Sequence, residues 1–324
     1  MAPAAPRIAV LPAGGPWAAG AAEAIEAGGG IVSAPEEAAG LIWTDAGPTT
    51  AATVVALKEA LGRLPGLRWV QLPLAGVERY AHQGVFDHQH LWTCAKGLYA
   101  APVAEHALAL ILACLRHLKE FGCATTWTAQ AGASLYRRPV TIFGGGGIAE
   151  ELIGLLVPFG CPVTVVRKRP TPMVMASRDG APPIEIRVLG WEDRDRALAG
   201  ADVVVLALAL TDETAGFLGR AQFERMAPHA VVVNIARGRQ IVTGDLVAAL
   251  TGGQIAAAGL DVTDPEPLPD GHPLWGLRNC LITPHTANTE QMAIPLLVGR
   301  IVENVRRFGA GEPLVGVVDP DLGY

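Results

Sequence analysis

The sequence has few cysteines and no pattern that would use them. The five (Cys94, Cys114, Cys123, Cys161, Cys280) are odd in number and scattered, and no two form a C-x-x-C pair. A disulfide framework is excluded, and the thiols read as reduced, mostly buried groups in a cytosolic protein. No basic tract is long enough for a nucleic-acid surface, and the formal net charge is -6. No uncharged apolar run reaches 18 residues without Pro or Gly, which excludes a membrane-spanning helix. The start, Met1 to Arg7, lacks a charged n-region and an apolar h-region and runs straight into Ile8-Ala9-Val10-Leu11. No signal peptide is expected, and the location is read as cytoplasmic. Charged residues are only 17% against 50% hydrophobic. That balance supplies a large core and argues against disorder, and 324 residues suffice for two domains. No internal repeat is visible.

Glycine, by contrast, is concentrated where it carries meaning. Val140-Thr-Ile-Phe143 is a β-rich apolar run, followed by Gly144-Gly-Gly-Gly147-Ile148-Ala149. A helical pattern then places Ile148, Leu152, Leu155, Leu156 and Phe159 on one face, closed by Pro158 and Gly160. Val163 to Val166 is a second strand. The spacing G-x-G-x-x-A sits between strand and helix, the context in which it binds a dinucleotide. Gly144 permits the tight turn, Gly146 lets a pyrophosphate approach the backbone, and Ala149 allows close packing. The N–H groups of Gly147 and Ile148 begin the helix that would face the phosphates.

The first hundred residues alternate strand and helix without such a fingerprint, a small α/β unit of its own. Strands are expected at Arg7–Leu11, Leu41–Trp43, Arg68–Leu72 and Leu91–Cys94, and helices at Ala18–Ala27 and Thr53–Gly62. A long apolar helix, Ala100–Lys119, suits a connector, and residues 122 to 138 read as irregular. After Arg169 the stretch Pro170 to Pro183 reads as loop. Ala201–Ala209, Val231–Ile235, the run from Gln254 into Leu260 and Cys280–Thr283 read as parallel strands buried on both faces. Helices Arg220–Met226 and Gly244–Thr251 lie between them. The last helix, Gln291–Phe308, is expected back on the first domain.

Three segments stand at the carboxyl ends of the later strands, where open α/β sheets bind ligands. They are Asn234-Ile-Ala-Arg237-Gly238, Gly259-Leu-Asp261-Val-Thr-Asp-Pro-Glu266-Pro267 and Thr283-Pro-His285-Thr-Ala287. An Arg can clamp a carboxylate through two parallel hydrogen bonds. A His beside a carboxylate is a proton donor and acceptor tuned near neutral pH. With a nicotinamide, these are the parts that move a hydride to a 2-oxo acid. His82, His88 and His90 near Asp87 match no ligand spacing, so they read as solvated and no metal is expected. Glu105-His106 reads as capping or domain packing. Trp127 is left open between core and a partner subunit.

The chain resembles the D-isomer-specific 2-hydroxyacid dehydrogenases, glyoxylate/hydroxypyruvate reductase-like members included, over nearly its whole length. The matching segments are Trp69 to Gly76, Gly97 to His106, the glycine turn, Asn234 to Gly238, Gly259 to Pro267, Thr283 to Ala287 and the ending Val318 to Tyr324. The resemblance implies two Rossmann-like or flavodoxin-like α/β domains with a cleft between them. One is a doubly wound dinucleotide-binding domain, residues 100–286. The other is a discontinuous substrate-binding domain, residues 1–99 plus 287–324.

By the same resemblance, Arg237 binds the substrate carboxylate and polarises its C2 carbonyl. His285 is the acid and base, and Glu266 pairs with it, 29 residues after Arg237. Amides of Leu74, Ala75 and Gly76 hold the carboxylate, and Ala236 and Asp261 lie at the cofactor, Asp261 facing the nicotinamide carboxamide. A homodimer with a small-molecule substrate is implied.

The chain departs from the pattern at Arg167, Lys168 and Arg169. Many relatives place Asp at 167, which repels a 2′-phosphate that Arg attracts, so NADP is favoured over NAD. Ala209 stands where relatives often have Pro. Alternatives stay open: a non-enzymatic nucleotide-sensing module like the corepressor relatives, or a phosphoglycerate-type dehydrogenase. The latter often carries a further C-terminal domain, whereas this sequence stops at Tyr324. A formate dehydrogenase would pair its His with Gln rather than Glu266.

Overall fold

The structure is a computed structural model that describes residues 4–15, 17–45, 50–175 and 184–321. Met1 to Pro3, residues 176–183 of the Pro170–Pro183 stretch and Leu322 to Tyr324 lie outside the described residues. The chain divides into two compact units, Met1–Tyr99 with Thr289–Tyr324, and Ala100–Asn288.

The first unit opens with β1 (Arg7–Leu11), α1 (Ala18–Ala27), β2 (Ile31–Val32), β3 (Gly40–Trp43), α2 (Ala51–Leu61), β4 (Trp69–Gln71), α3 (Glu78–His82) and β5 (Leu91–Thr93). Its sheet runs β2-β1-β3-β4-β5, and every pairing is parallel. That is the flavodoxin-like order. β3 and β4 are buried throughout, as expected for parallel strands covered on both faces.

The second unit holds α4 (Ala100–Leu115), α5 (Leu118–Gly122), β6 (Val140–Phe143), α6 (Gly147–Leu156), β7 (Val163–Val166), β8 (Met173–Met175), β9 (Ile184–Leu189), α7 (Arg194–Ala199), β10 (Val203–Leu206), α8 (Arg220–Phe223), β11 (Val231–Asn234), α9 (Thr243–Thr251), β12 (Ala257–Leu260), α10 (Pro273–Gly276) and β13 (Cys280–Ile282). The sheet order is β13-β12-β11-β10-β6-β7-β9-β8. This is the doubly wound order of a dinucleotide-binding sheet, extended by β13 and by the edge strand β8, and its switch point lies between β6 and β10. α11 (Glu290–Ala310) belongs to the first unit, where Leu297, Ile301 and Val305 share a core with Ile8, Ala21, Ala24 and Ile25.

Several elements differ from the sequence reading. The helix read as Ala100–Lys119 ends at Leu115, because His117 takes the left-handed conformation (φ 54) and a separate α5 follows. α4 lies on the sheet of its own unit: a Cβ at Gly259 would come within 3.0 Å of Leu110 and 3.3 Å of Cys114. The apolar run Ala201–Ala209 is a strand only over Val203–Leu206, because β6 offers four partners before Gly144 turns away. The Pro170–Pro183 stretch contains β8, paired antiparallel with the unforeseen β9. β2, α3 and α7 are further elements that the sequence pattern does not announce, each being too short for a periodic signal.

Candidate active site

The glycine turn follows β6 at the switch point. Gly144 has φ 109, and a Cβ there would lie 2.2 Å from the Ala207 carbonyl oxygen, so the position requires glycine. Gly146 caps α6, and a Cβ on it would meet nothing within 4 Å. Open space thus stands before the helix N-terminus, where the first amides, those of Gly147 and Ile148 among them, have no intrahelical partner. These residues fit a dinucleotide pyrophosphate.

Arg167 leaves the end of β7 and folds back over the turn. A Cβ on Gly145 would come within 2.6 Å of its Cδ. Its Nη1 donates to Gly145 O at 3.4 Å and its Nη2 to Thr171 O at 2.5 Å and to the Thr171 hydroxyl. The Nε–H is buried with no partner among the described residues. Lys168, 82% exposed, pairs with Glu213 at 2.9 Å, and Arg169 is exposed.

β11 ends in Asn234, which is fully buried and shapes the next turn. Its Oδ1 accepts the Ala236 N–H at 3.0 Å and its Nδ2 donates to the Arg237 carbonyl at 3.0 Å. Ala236 is buried, and its carbonyl accepts from Arg237 Nη1 at 2.7 Å. A Cβ on Gly238 would lie 1.9 Å from the Thr263 carbonyl oxygen. Only glycine therefore lets the Arg237 turn lie backbone to backbone against the segment leading to Glu266.

His285 Nδ1 donates to Glu266 Oε1 at 2.7 Å, with the two side chains 53% and 42% exposed. That hydrogen bond holds the His285 pKa above its ordinary value, against burial and the Arg237 charge. The same bond, against burial, and the Arg237 charge hold the Glu266 carboxyl below its ordinary value. Arg237, Glu266 and His285 therefore share one neighbourhood of the second unit. Nδ1 is committed to Glu266, which leaves Nε2 as the ring atom available to a substrate.

Asp261, expected to face a nicotinamide carboxamide, has its carboxylate turned inward, with the side chain 1% exposed. Its Oδ1 accepts from the Thr283 hydroxyl at 2.6 Å and the Thr286 N–H at 2.9 Å, and its Oδ2 from the Ala287 N–H at 3.0 Å. In the first unit, the loop after β4 is fixed through its carbonyls. Tyr99 donates its hydroxyl to Pro73 O at 2.8 Å, and the Ala95 N–H donates to Leu74 O at 3.0 Å. The amides of Leu74, Ala75 and Gly76 donate to no backbone carbonyl among the described residues. Of the histidines near Asp87, His90 pairs with Asp87 and His88 with Asp321, and no metal-binding group of three or more such side chains occurs among the described residues. No helix among them is long and apolar enough to cross a membrane.

Residues 108–287 match the family model described as D-isomer specific 2-hydroxyacid dehydrogenase, NAD binding domain. The chain belongs to the D-isomer specific 2-hydroxyacid dehydrogenase family. It is an NAD(P)-dependent oxidoreductase of that family. It is 38% identical over 264 residues to an uncharacterized protein in the proB 3′ region of Corynebacterium melassecola, covering 80% of this chain and 84% of that one. It is 33% identical over 229 residues to glyoxylate/hydroxypyruvate reductase A of Serratia proteamaculans, covering 69% of each. Among solved structures it resembles a D-isomer specific 2-hydroxyacid dehydrogenase from Xanthobacter autotrophicus in complex with NADPH and MES. The TM-score is 0.79 at 26% identity, over 99% of this chain and 100% of that one.

The sequence reading missed what holds these residues in place, namely the contacts of Gly238 and the partners of Asp261. Both positions lie inside motifs the sequence displays, but their roles depend on neighbours the motifs do not contain.

Proposed function

We propose that this dehydrogenase reduces a small 2-oxo acid, glyoxylate or hydroxypyruvate in class, to the D-2-hydroxy acid, with NADPH preferred to NADH. The observation that carries the reading is the 2.7 Å His285–Glu266 pair lying in the field of Arg237. The Serratia relative, a glyoxylate/hydroxypyruvate reductase, supports the substrate class. A bound reduced nicotinamide supplies the hydride. Arg237 clamps the substrate carboxylate and draws electron density toward the C2 oxygen. His285 gives its Nε2 proton to that oxygen as charge builds on it, and takes it back from the hydroxyl in oxidation. Glu266 orients the ring and stabilises its charged form. The amides of Leu74, Ala75 and Gly76 supply further donors to the carboxylate. A panel of 2-oxo acids with NADPH and NADH, followed by the absorbance of the reduced nicotinamide, tests the reading. Absence of turnover across the panel would favour a nucleotide-sensing module.

The cofactor preference rests on Arg167, Lys168 and Arg169, at the strand end where the adenosine ribose lies in this fold. Arg167 is anchored by Thr171 and keeps an Nε–H with no partner among the described residues, whereas Lys168 is shared with Glu213. Charge-assisted hydrogen bonds there are worth about 1.5–3 kcal/mol each when well placed, less when solvent-exposed and in salt. Arg167→Asp is expected to lower the ratio of kcat/KM for NADPH over NADH by about tenfold or more, adding repulsion to lost attraction. The wild-type preference should shrink at high ionic strength. A wild-type ratio favouring NADH would return the basic run to a solvated loop end.

The proton role has a pH signature. Reduction needs the imidazolium, so its kcat/KM is flat at low pH and falls as pH rises through the raised pKa of His285. Oxidation needs the neutral ring and shows the mirror limb. Glu266→Gln removes the carboxylate that raises this pKa, so both limbs should move to lower pH. Limbs that stay in place would remove Glu266 from this role. We also read the enzyme as cytoplasmic and as a homodimer, the homodimer being supported by Trp127, Tyr136 and Leu118, which expose 99%, 66% and 54% in the second unit. Light scattering that returns the mass of a single chain would overturn that part.

A further inference from the structure

His285 has φ 50, a left-handed conformation uncommon for a residue with a Cβ, and its surroundings hold it there. Most of the hydrogen bonds that fix this turn end on Asp261, and the His285 N–H is also shared with the Thr283 carbonyl at 3.0 Å. Three successive amides converge on Asp261: His285 N–H donates to its backbone carbonyl at 2.8 Å, and those of Thr286 and Ala287 donate to its two carboxylate oxygens at 2.9 and 3.0 Å. The carboxylate is buried, so its charge must be met by donors. Beside the Thr286 and Ala287 amides, the third donor to the carboxylate is the Thr283 hydroxyl, at 2.6 Å. Since that hydroxyl gives its hydrogen to Asp261, its oxygen is left to accept, and His106 Nε2 lies 2.9 Å from it and 3.3 Å from Asp261 Oδ1. Burial alone would raise the Asp261 carboxyl, but the hydrogen bonds from His106, Thr283 and the two amides hold it below its ordinary value. A directed chain therefore runs from α4 through His106, Thr283 and Asp261 to the backbone that aims His285.

We propose that His106 and Thr283 are positioning residues for proton transfer, acting through Asp261 on the conformation of His285. The inference rests on His285 being the acid and base. Without the Thr283 hydroxyl, or without an N–H at position 106, the carboxylate loses donors and the amide cluster loosens. His285 is then free to leave φ 50, and with it the alignment toward Glu266. A small misplacement of a catalytic group is enough to slow a reaction without touching binding.

The test uses the full chain with NADPH and the best 2-oxo acid of the panel. Thr283→Val keeps the shape and removes the hydroxyl, and His106→Leu removes the donor. His106→Gln keeps an N–H near the Nε2 position, and Thr283→Ser keeps the hydroxyl. Thr283→Val and His106→Leu are expected to lower kcat about tenfold, with the NADPH dissociation constant, read by fluorescence, within about twofold of wild type. Their pH limb for His285 should move to lower pH as its contact with Glu266 weakens, while Arg237 and Asp261 remain as its charged neighbours. Thr283→Ser and His106→Gln should recover most of the rate. Tight NADPH binding certifies folding of each variant, and Thr283→Val decides alone if His106→Leu does not fold. Wild-type kcat and pH limb in Thr283→Val and His106→Leu, beside a slow His285→Ala, would overturn this inference only. Near-normal turnover of His285→Ala would overturn it together with the acid–base reading.

Discussion

His285→Ala is expected to lower 2-oxo acid reduction by about 100-fold or more, the scale on which a positioned general acid contributes. The carbonyl oxygen gains negative charge as the hydride arrives, and without an imidazolium only water can protonate it. NADPH affinity should be nearly unchanged, since the glycine turn and the β7 end do not involve this side chain. The loss should fall on kcat and kcat/KM alike, as for an interaction made mainly in the transition state. The high-pH limb of reduction should vanish with the imidazole. Near-normal turnover of purified His285→Ala, or an unchanged limb, would remove the residue from the chemistry. A parallel loss of NADPH binding would instead mark the imidazole as part of the cofactor site.

The parts of the enzyme that could be read from sequence are those whose cause is local. The turn at Gly144 and Gly146 was legible because strand, glycine spacing and helix adjoin in the chain, and the positive φ of Gly144 has a purely steric origin. The strands of the second sheet were legible because burial on both faces leaves runs such as Val231–Asn234 almost wholly apolar. Element ends were less so. Nothing in Arg116-His117 announces the left-handed residue that stops α4, since the usual glycine is absent. Arg237, Glu266 and His285 could be named, but not what aims them. His106 meets Thr283 across 177 residues of chain. Gly238 matters because of the Thr263 carbonyl, which no spacing rule predicts. Likewise, the basic run after β7 was visible as charge, whereas the division of labour was not: Arg167 anchored on Thr171, Lys168 held by Glu213.

Arg237→Lys is expected to behave as a severe substitution although it preserves the charge. The guanidinium is planar and presents a fork of donors that can engage both oxygens of a carboxylate, or one of them and the neighbouring C2 oxygen. One edge of that fork is already used: Nη1 donates to the Ala236 carbonyl at 2.7 Å, which orients the plane. The Arg237 backbone is fixed independently, by Asn234 Nδ2 on its carbonyl and by the close approach of Gly238 to Thr263. Lysine at this position would keep the fixed backbone but lose both the internal anchor and the second donor to substrate. A charge-assisted hydrogen bond is worth about 1.5–3 kcal/mol, so kcat/KM should fall by about 10- to 150-fold. The fall should be divided between a higher KM, from the ground-state carboxylate, and a lower kcat, from the developing alkoxide. The Arg237 charge also opposes protonation of His285, and lysine retains it, so the pH limbs should stay close to wild type. That combination, slow turnover with an unmoved pH profile, separates loss of the fork from disturbance of the acid. Wild-type kinetics in Arg237→Lys would show that a point charge suffices and that the bidentate assignment is wrong.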